Sequence, residues 1–177
     1  IFKSIDIVLG LPYQWVKSKS SDSNTFVHGI GDMTCEIKWR FIETGPFTLA
    51  VKPGLVLPVG NESKDLGTGK LGYTGYLIGS FEMEPLAVHL NGGYIRNNNK
   101  LDERKNLWHA SLAAEYGLSE SFTGIANIGC ERNSDRDDKT VPAFLLGGCV
   151  YTINDLCDID AGLKWGFTKP ETDITVL

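Results

Sequence analysis

The sequence contains no run of eighteen apolar residues, which excludes a transmembrane helix but not a membrane protein whose strands alternate and leave no hydropathy peak. Positive charge is in deficit: 17 Lys and Arg stand against 22 Asp and Glu, a net charge of −5. No basic stripe is interleaved with aromatics, so nucleic acid is excluded as a partner class. The four cysteines, Cys35, Cys130, Cys149 and Cys157, form no C-x-x-C pair and have no histidine at ligand spacing. A zinc site is therefore not expected, nor any other metal or cofactor. No stretch shows helical periodicity, and there is no initiating Met or charged-then-apolar leader.

A period of two fills the space these absences leave. Between Asp32 and Phe41, the residues Met33, Cys35, Ile37, Trp39 and Phe41 alternate with Asp32, Thr34, Glu36, Lys38 and Arg40. Four charges on one side and none on the other describe a strand with one wet face. The same alternation recurs over 3–16, 47–60, 70–83, 86–97, 106–118, 121–132, 142–152 and 156–168, and a further strand begins at Ile174. Short links at 43–46, 84–85, 119–121 and 153–155 take turns with longer polar ones at 17–29, 61–69, 97–105, 133–141 and 169–173. Antiparallel neighbours joined in this way collect all the short turns at one end of a sheet.

A soluble, lipocalin-like barrel would bury the apolar side and solvate the polar one. Three features weigh against it. The strand-like stretches run to about 11–14 residues, well above the usual 5–6 of soluble sheets. Aromatics gather toward strand ends on the apolar side: Trp39, Phe47, Phe81, Tyr116 and Phe122 near the short turns, and Tyr13, Tyr94 and Trp108 toward the long loops. That distribution matches two interfacial girdles. Small residues such as Ala110, Ala114, Gly124 and Ala126 occupy apolar positions where a water-excluding core would call for larger fillers. The expected fold is thus all-β, an antiparallel up-and-down transmembrane barrel. About ten strands fall in this stretch. One domain over 1–177 is expected, truncated at both ends.

The stretches Leu9-Gly-Leu-Pro-Tyr13 and Gly29-Ile-Gly-Asp-Met33, the latter leading into Lys38-Trp-Arg-Phe41, resemble the MetA-pathway phenol-degradation family of outer-membrane proteins. So do Lys52-Pro-Gly-Leu55, Gly67-Thr-Gly-Lys70, Asn91-Gly-Gly-Tyr94, Leu107-Trp-His-Ala-Ser111 and Ala161-Gly-Leu-Lys-Trp165, which cover nearly the whole chain in order. The resemblance implies a transmembrane barrel in the bacterial outer membrane, associated with uptake of small compounds, aromatic ones among the candidates. It also implies an upstream signal peptide, a final strand and at least one earlier hairpin, which would bring the complete protein to twelve strands. It carries no catalytic pattern.

Several local patterns have competing readings. Gly67-Thr-Gly-Lys-Leu-Gly72 fits G-x-G-x-x-G, but a strand follows where a dinucleotide site needs a helix, so a loop with permissive backbone is the better account. His109, Ser111 and Asn127 are similar to the His/Ser/Asn set of the outer-membrane phospholipase, whose histidine activates its serine. There the site faces lipid; here Trp108, Leu112 and Tyr116 claim that side, so no enzyme is expected. Asp135-Arg-Asp-Asp138 could hold Ca²⁺ or contact lipopolysaccharide through cations, but it lacks the glycine and closing glutamate of a calcium loop and reads as exposed loop charge. The most informative group is the polar side itself. Glu36, Lys38, Arg40, Lys52, His89, Asn91, His109, Glu115, Asp158, Asp160 and Lys164 are expected to line a pore. Unpaired charges in a dry interior would be very costly, so these must be paired or wet. Paired across strands they would plug the lumen, and solvated they would conduct. The function expected is a passive channel for small solutes, with lipid and lipopolysaccharide around it. The alternatives are a plugged, partner-binding barrel and a soluble ligand-binding one.

Overall fold

The computed structural model describes residues 4–19, 24–154 and 156–177. Twelve strands account for most of them: β1 (Ile5–Gly10), β2 (Tyr13–Lys19), β3 (Asn24–Ile30), β4 (Met33–Thr44), β5 (Phe47–Leu57), β6 (Gly72–Met83), β7 (Leu86–Arg96), β8 (Asn106–Gly117), β9 (Phe122–Glu131), β10 (Ala143–Asn154), β11 (Cys157–Gly166) and β12 (Ile174–Val176). The only helical element among the described residues is a single 3-10 turn at Glu62–Lys64. Ten strands form one antiparallel sheet in the order β1-β4-β5-β6-β7-β8-β9-β10-β11-β12, each paired with its neighbour. No ladder among the described residues joins β1 to β12, so the sheet is not closed and these two are its edges.

The short turns fall at one end and the long loops at the other, as the alternating link lengths predict. One link differs. The stretch 17–29 reads as a long loop; its residues 20–23 lie outside the described ones, and those on either side pair in β2 and β3, from Tyr13↔Ile30 to Lys19↔Asn24. Lys17-Ser-Lys19 is polar enough to look like a loop, but a ladder is made by backbone groups and does not need apolar side chains. This hairpin prolongs the β1–β4 pair past a register change at Gly31 and Asp32. Gly31 N–H donates to the Pro12 carbonyl at 2.9 Å across that break.

The two faces of the sheet differ in a way that a soluble sheet does not. Large apolar side chains stand exposed on one of them: Leu9, Trp39, Leu77 and Leu90, with Phe47, Tyr116 and Trp165 toward the strand ends. The other face holds the covered groups, including Glu36, Ser80 and Ser111 beside Ala50, Ile78 and Phe144, all buried. Burial is therefore inverted: charges and hydroxyls are covered while leucines are bare. The four cysteines are free thiols; Cys35 and Cys130 are half-buried, Cys149 and Cys157 exposed.

Candidate functional site

Along the polar face, side chains reach over intervening strands. Neighbouring strands lie about 4.8 Å apart, so a contact between next-nearest strands spans roughly twice that and needs a gap between them. Glycines supply it. Glu36 on β4 and Thr74 on β6 approach to 3.4 Å over Gly54 of β5, where a Cβ would fall 2.6 Å from both side chains. The Tyr76 ring on β6 lies over Gly93 of β7 and meets His109 on β8 edge-on, with centroids 6.0 Å apart. Phe144 on β10 lies over Gly129 of β9 and stacks on the same His109 at 6.4 Å. The contacts draw the polar face inward on itself.

Cations complete this belt. Lys52 donates to Glu36 at 2.9 Å and sits 4.9 Å from the centre of the Tyr76 ring. Lys164 donates to Glu171 at 2.8 Å and lies 5.1 Å from the centre of the Phe144 ring. His109 Nδ1 is 3.5 Å from Glu131. The two lysines are thus each held by a carboxylate and by an aromatic face together. The belt lies toward the long-loop end of strands β4 to β11.

Toward the short-turn end the face is acidic. A cavity of about 890 Å³ opens there, lined by Glu82, Glu84, His89, Glu115, Glu120 and Thr123 among others. Ser80 Oγ and His89 Nδ1 are 2.8 Å apart, and His89 Nε2 is 3.6 Å from Glu115. The hydroxyl and the imidazole are hydrogen-bonded, and the carboxylate lies just beyond hydrogen-bond reach of the ring.

The residues read from the sequence as pore-lining fall into this frame unevenly. Glu36, Lys52, His109 and Lys164 belong to the belt, and His89 and Glu115 to the cavity. Asn91 donates to Ser111 at 3.4 Å, midway between the two. Arg40 reaches Asp6 at 3.8 Å and Glu43 at 3.5 Å near the β1 edge. Lys38 pairs in register with Asp6, and Asp158 and Asp160 stand exposed on β11. The set His109, Ser111 and Asn127 is not assembled: His109 turns to Glu131, Ser111 to Asn91, and Asn127 lies opposite Ala113. Alternation over 70–83 puts Thr74 and Ser80 on the polar side although neither is in the pore-lining set, whereas Tyr76, Glu131 and Phe144 were missed. Tyr76 shares the alternate positions of Thr74 and Ser80 and could have been placed by parity. Phe144 sits in a strand with weak alternation, and its apolar ring gave no sign of the polar side.

The long loops are fastened to one another. Asp32, at the β3–β4 break, accepts from Gly60 N–H at 3.0 Å, Thr68 N–H at 2.7 Å and the Thr68 hydroxyl at 2.8 Å. That closes the Gly67-Thr-Gly-Lys70 loop onto the wall and explains its glycines without a phosphate: Gly67 packs against the Asp32 carboxylate, and Gly69 has φ +67°. Lys100 then bonds Glu62 at 2.6 Å, and its amide donates to the Thr68 carbonyl. Arg104 donates to the carbonyls of Asn133 and Arg136, while Arg136 pairs with Asp102 at 2.8 Å. Thr168 bonds the Val141 carbonyl and the Ala143 amide. In the acidic stretch, Asp135 and Asp138 accept from the amides of Asp137 and Thr140. No group of three metal-ligating side chains occurs among the described residues. Two loop carboxyls are shifted: the Lys100 ammonium holds Glu62 below its ordinary range, and the Thr140 amide does the same for Asp138.

A comparison with protein families matches residues 3–176, all but the extreme ends, to the profile described as "Putative MetA-pathway of phenol degradation". The chain belongs to that family. No curated protein matches it in sequence. Within the MetA-pathway family, then, this chain is an all-β member whose polar face carries the belt and the acidic cavity.

Proposed function

We propose that the chain forms most of the wall of a bacterial outer-membrane β-barrel, and that the barrel passes small solutes, aromatic compounds among them. The observation that carries this reading is the inverted burial: leucines and aromatics exposed on one face, Glu36, Ser80 and Ser111 covered on the other. In water such a face would drive aggregation, whereas in lipid it is the required exterior. Strands of 10–12 residues from β4 to β11 suit a tilted crossing of an apolar band about 25 Å tall. The MetA-pathway family fits a role in handling phenolic compounds.

An open lumen is proposed over a plugged one. Lys52–Glu36 and Arg40–Asp6 pair across adjacent strands, His89 and His109 face Glu115 and Glu131 on theirs, and Lys164 bonds Glu171 in the loop after its own strand. Contacts between neighbouring strands lie along one wall, and pairing of this kind is compatible with a water-filled middle. The test is reconstitution of the complete protein in planar bilayers. Small, stable conductance steps, altered in ion preference by Lys38→Glu or Asp160→Lys, are expected. A barrel that neither conducts nor speeds solute uptake would establish the plugged, partner-binding alternative; a protein that stays monomeric in plain buffer would establish the soluble one.

A further inference from the structure

The β2–β3 hairpin stands beyond the rest of the wall. β5 ends at Leu57 opposite Met33, whereas the seven-residue strands of the hairpin continue past that rim. At about 3.4 Å per residue they extend roughly 24 Å further. One side of the hairpin sets Tyr13, Trp15 and Lys17 against Ile30, His28 and Phe26. Its rings pack on one another, Tyr13 on Trp15 at 4.5 Å and Phe26 on His28 at 5.8 Å, and Tyr13 Oη lies 3.1 Å from His28 Nδ1. Nothing else described covers them: Trp15 is 68% exposed and Phe26 62%. Gly29, whose place in the ladder is opposite Gln14 on the other side, packs against Leu66 of the 58–71 loop. The hairpin is therefore held at its base on that side and bare along the aromatic one.

The bare side continues a pattern. The alternate positions exposed in β1, Ile7 and Leu9, run on as Leu11, Tyr13, Trp15 and then Lys17. Along β2 aliphatic groups give way to aromatic rings and the rings to a cationic nitrogen, while on β3 His28 stands level with Trp15 and Phe26 with Lys17. A lipid leaflet presents tails, glycerol region and phosphates in the order that β2 follows. We propose that this side of the hairpin lies against the surrounding leaflet, with Tyr13, Trp15 and His28 at the interfacial level and Lys17, beside Phe26, against lipid phosphate headgroups. The proposal rests on the membrane-barrel reading and goes beyond it, because a hairpin past the rim could equally stand in water.

The four tryptophans allow the two to be separated. Trp15 is in the hairpin, while Trp39, Trp108 and Trp165 are on the apolar face of the sheet. The complete protein is refolded into phosphatidylglycerol-containing vesicles bearing a quencher either near the headgroup or at the end of the acyl chain. The emission lost on Trp15→Phe is expected to be quenched from the headgroup, and that lost on Trp39→Phe, level with Leu77 at mid-strand, from the chain. Lys17→Glu is expected to reduce the headgroup quenching of Trp15 by about half, and to do so less in purely zwitterionic vesicles. Trp15 emission reached by aqueous iodide and by neither lipid quencher, with Trp39 quenched from the chain, would overturn the proposal and leave the barrel reading standing. If no tryptophan is reached from lipid, the membrane reading fails and the hairpin proposal with it.

Discussion

Tyr76 lies over Gly93, on the adjacent strand, and only because that position has no side chain does the ring reach His109 one strand further on. Gly93→Val would place two methyl groups where the ring sits, and an overpacked site of this kind costs about 1–3 kcal/mol. Gly92 is the control, since nothing lies within 4 Å of a Cβ built there. Urea unfolding of the detergent-solubilised protein is expected to show a lower midpoint for Gly93→Val and little change for Gly92→Val.

The Lys52–Glu36 pair is mostly covered, so removing one partner leaves the other in poor surroundings. Lys52→Met alone is expected to destabilise by about 1–3 kcal/mol, because Glu36 then keeps only the long Thr74 contact. Lys52→Met combined with Glu36→Gln should cost less than the two single changes added together. A strictly additive double-mutant cycle would show that the two charges do not interact.

Sidedness is tested on adjacent residues of β4. Ile37 is exposed on the apolar face, and Ile37→Arg should hinder membrane insertion by about 2–4 kcal/mol. Lys38→Gln on the other face should change insertion far less. Tolerance of Ile37→Arg together with loss of folding in Lys38→Gln would invert the assignment of faces.

The loop contacts carry a pH dependence of definite sign. Glu62 and Asp138 have their carboxyls held below the ordinary values of 4.5 and 3.8. For a depressed carboxyl the stabilisation is complete above the ordinary value and disappears as pH falls through the lowered one. Amide exchange in the 58–71 and 132–142 loops is therefore expected to stay slow at pH 5 and to accelerate only below the usual carboxylate range. Lys100→Met should move the change in the 58–71 loop to higher pH and leave the 132–142 loop as it was.

The strands were legible from the sequence because a period of two is a local property. Ile37 and Lys38 declare their faces from their neighbours alone, and inverted burial follows once the apolar face is recognised as too aromatic at its ends and too finely filled for a dry core. The hairpin at Tyr13–Ile30 was missed where polar residues masked a ladder that only backbone groups make. The belt was beyond reach for a different reason. Alternation assigns His109 to the polar face, but which groups meet it depends on register across β6 to β10. It depends as well on glycines at Gly93 and Gly129, whose contribution is an absent side chain. Asp32 reads as one more polar residue of a strand until the fold brings Gly60 and Thr68 to it from 28 and 36 residues away. Side-chain direction is fixed within one strand by the pleat. Contact between strands is fixed by hydrogen-bond register and by room to cross, and only the folded sheet decides those.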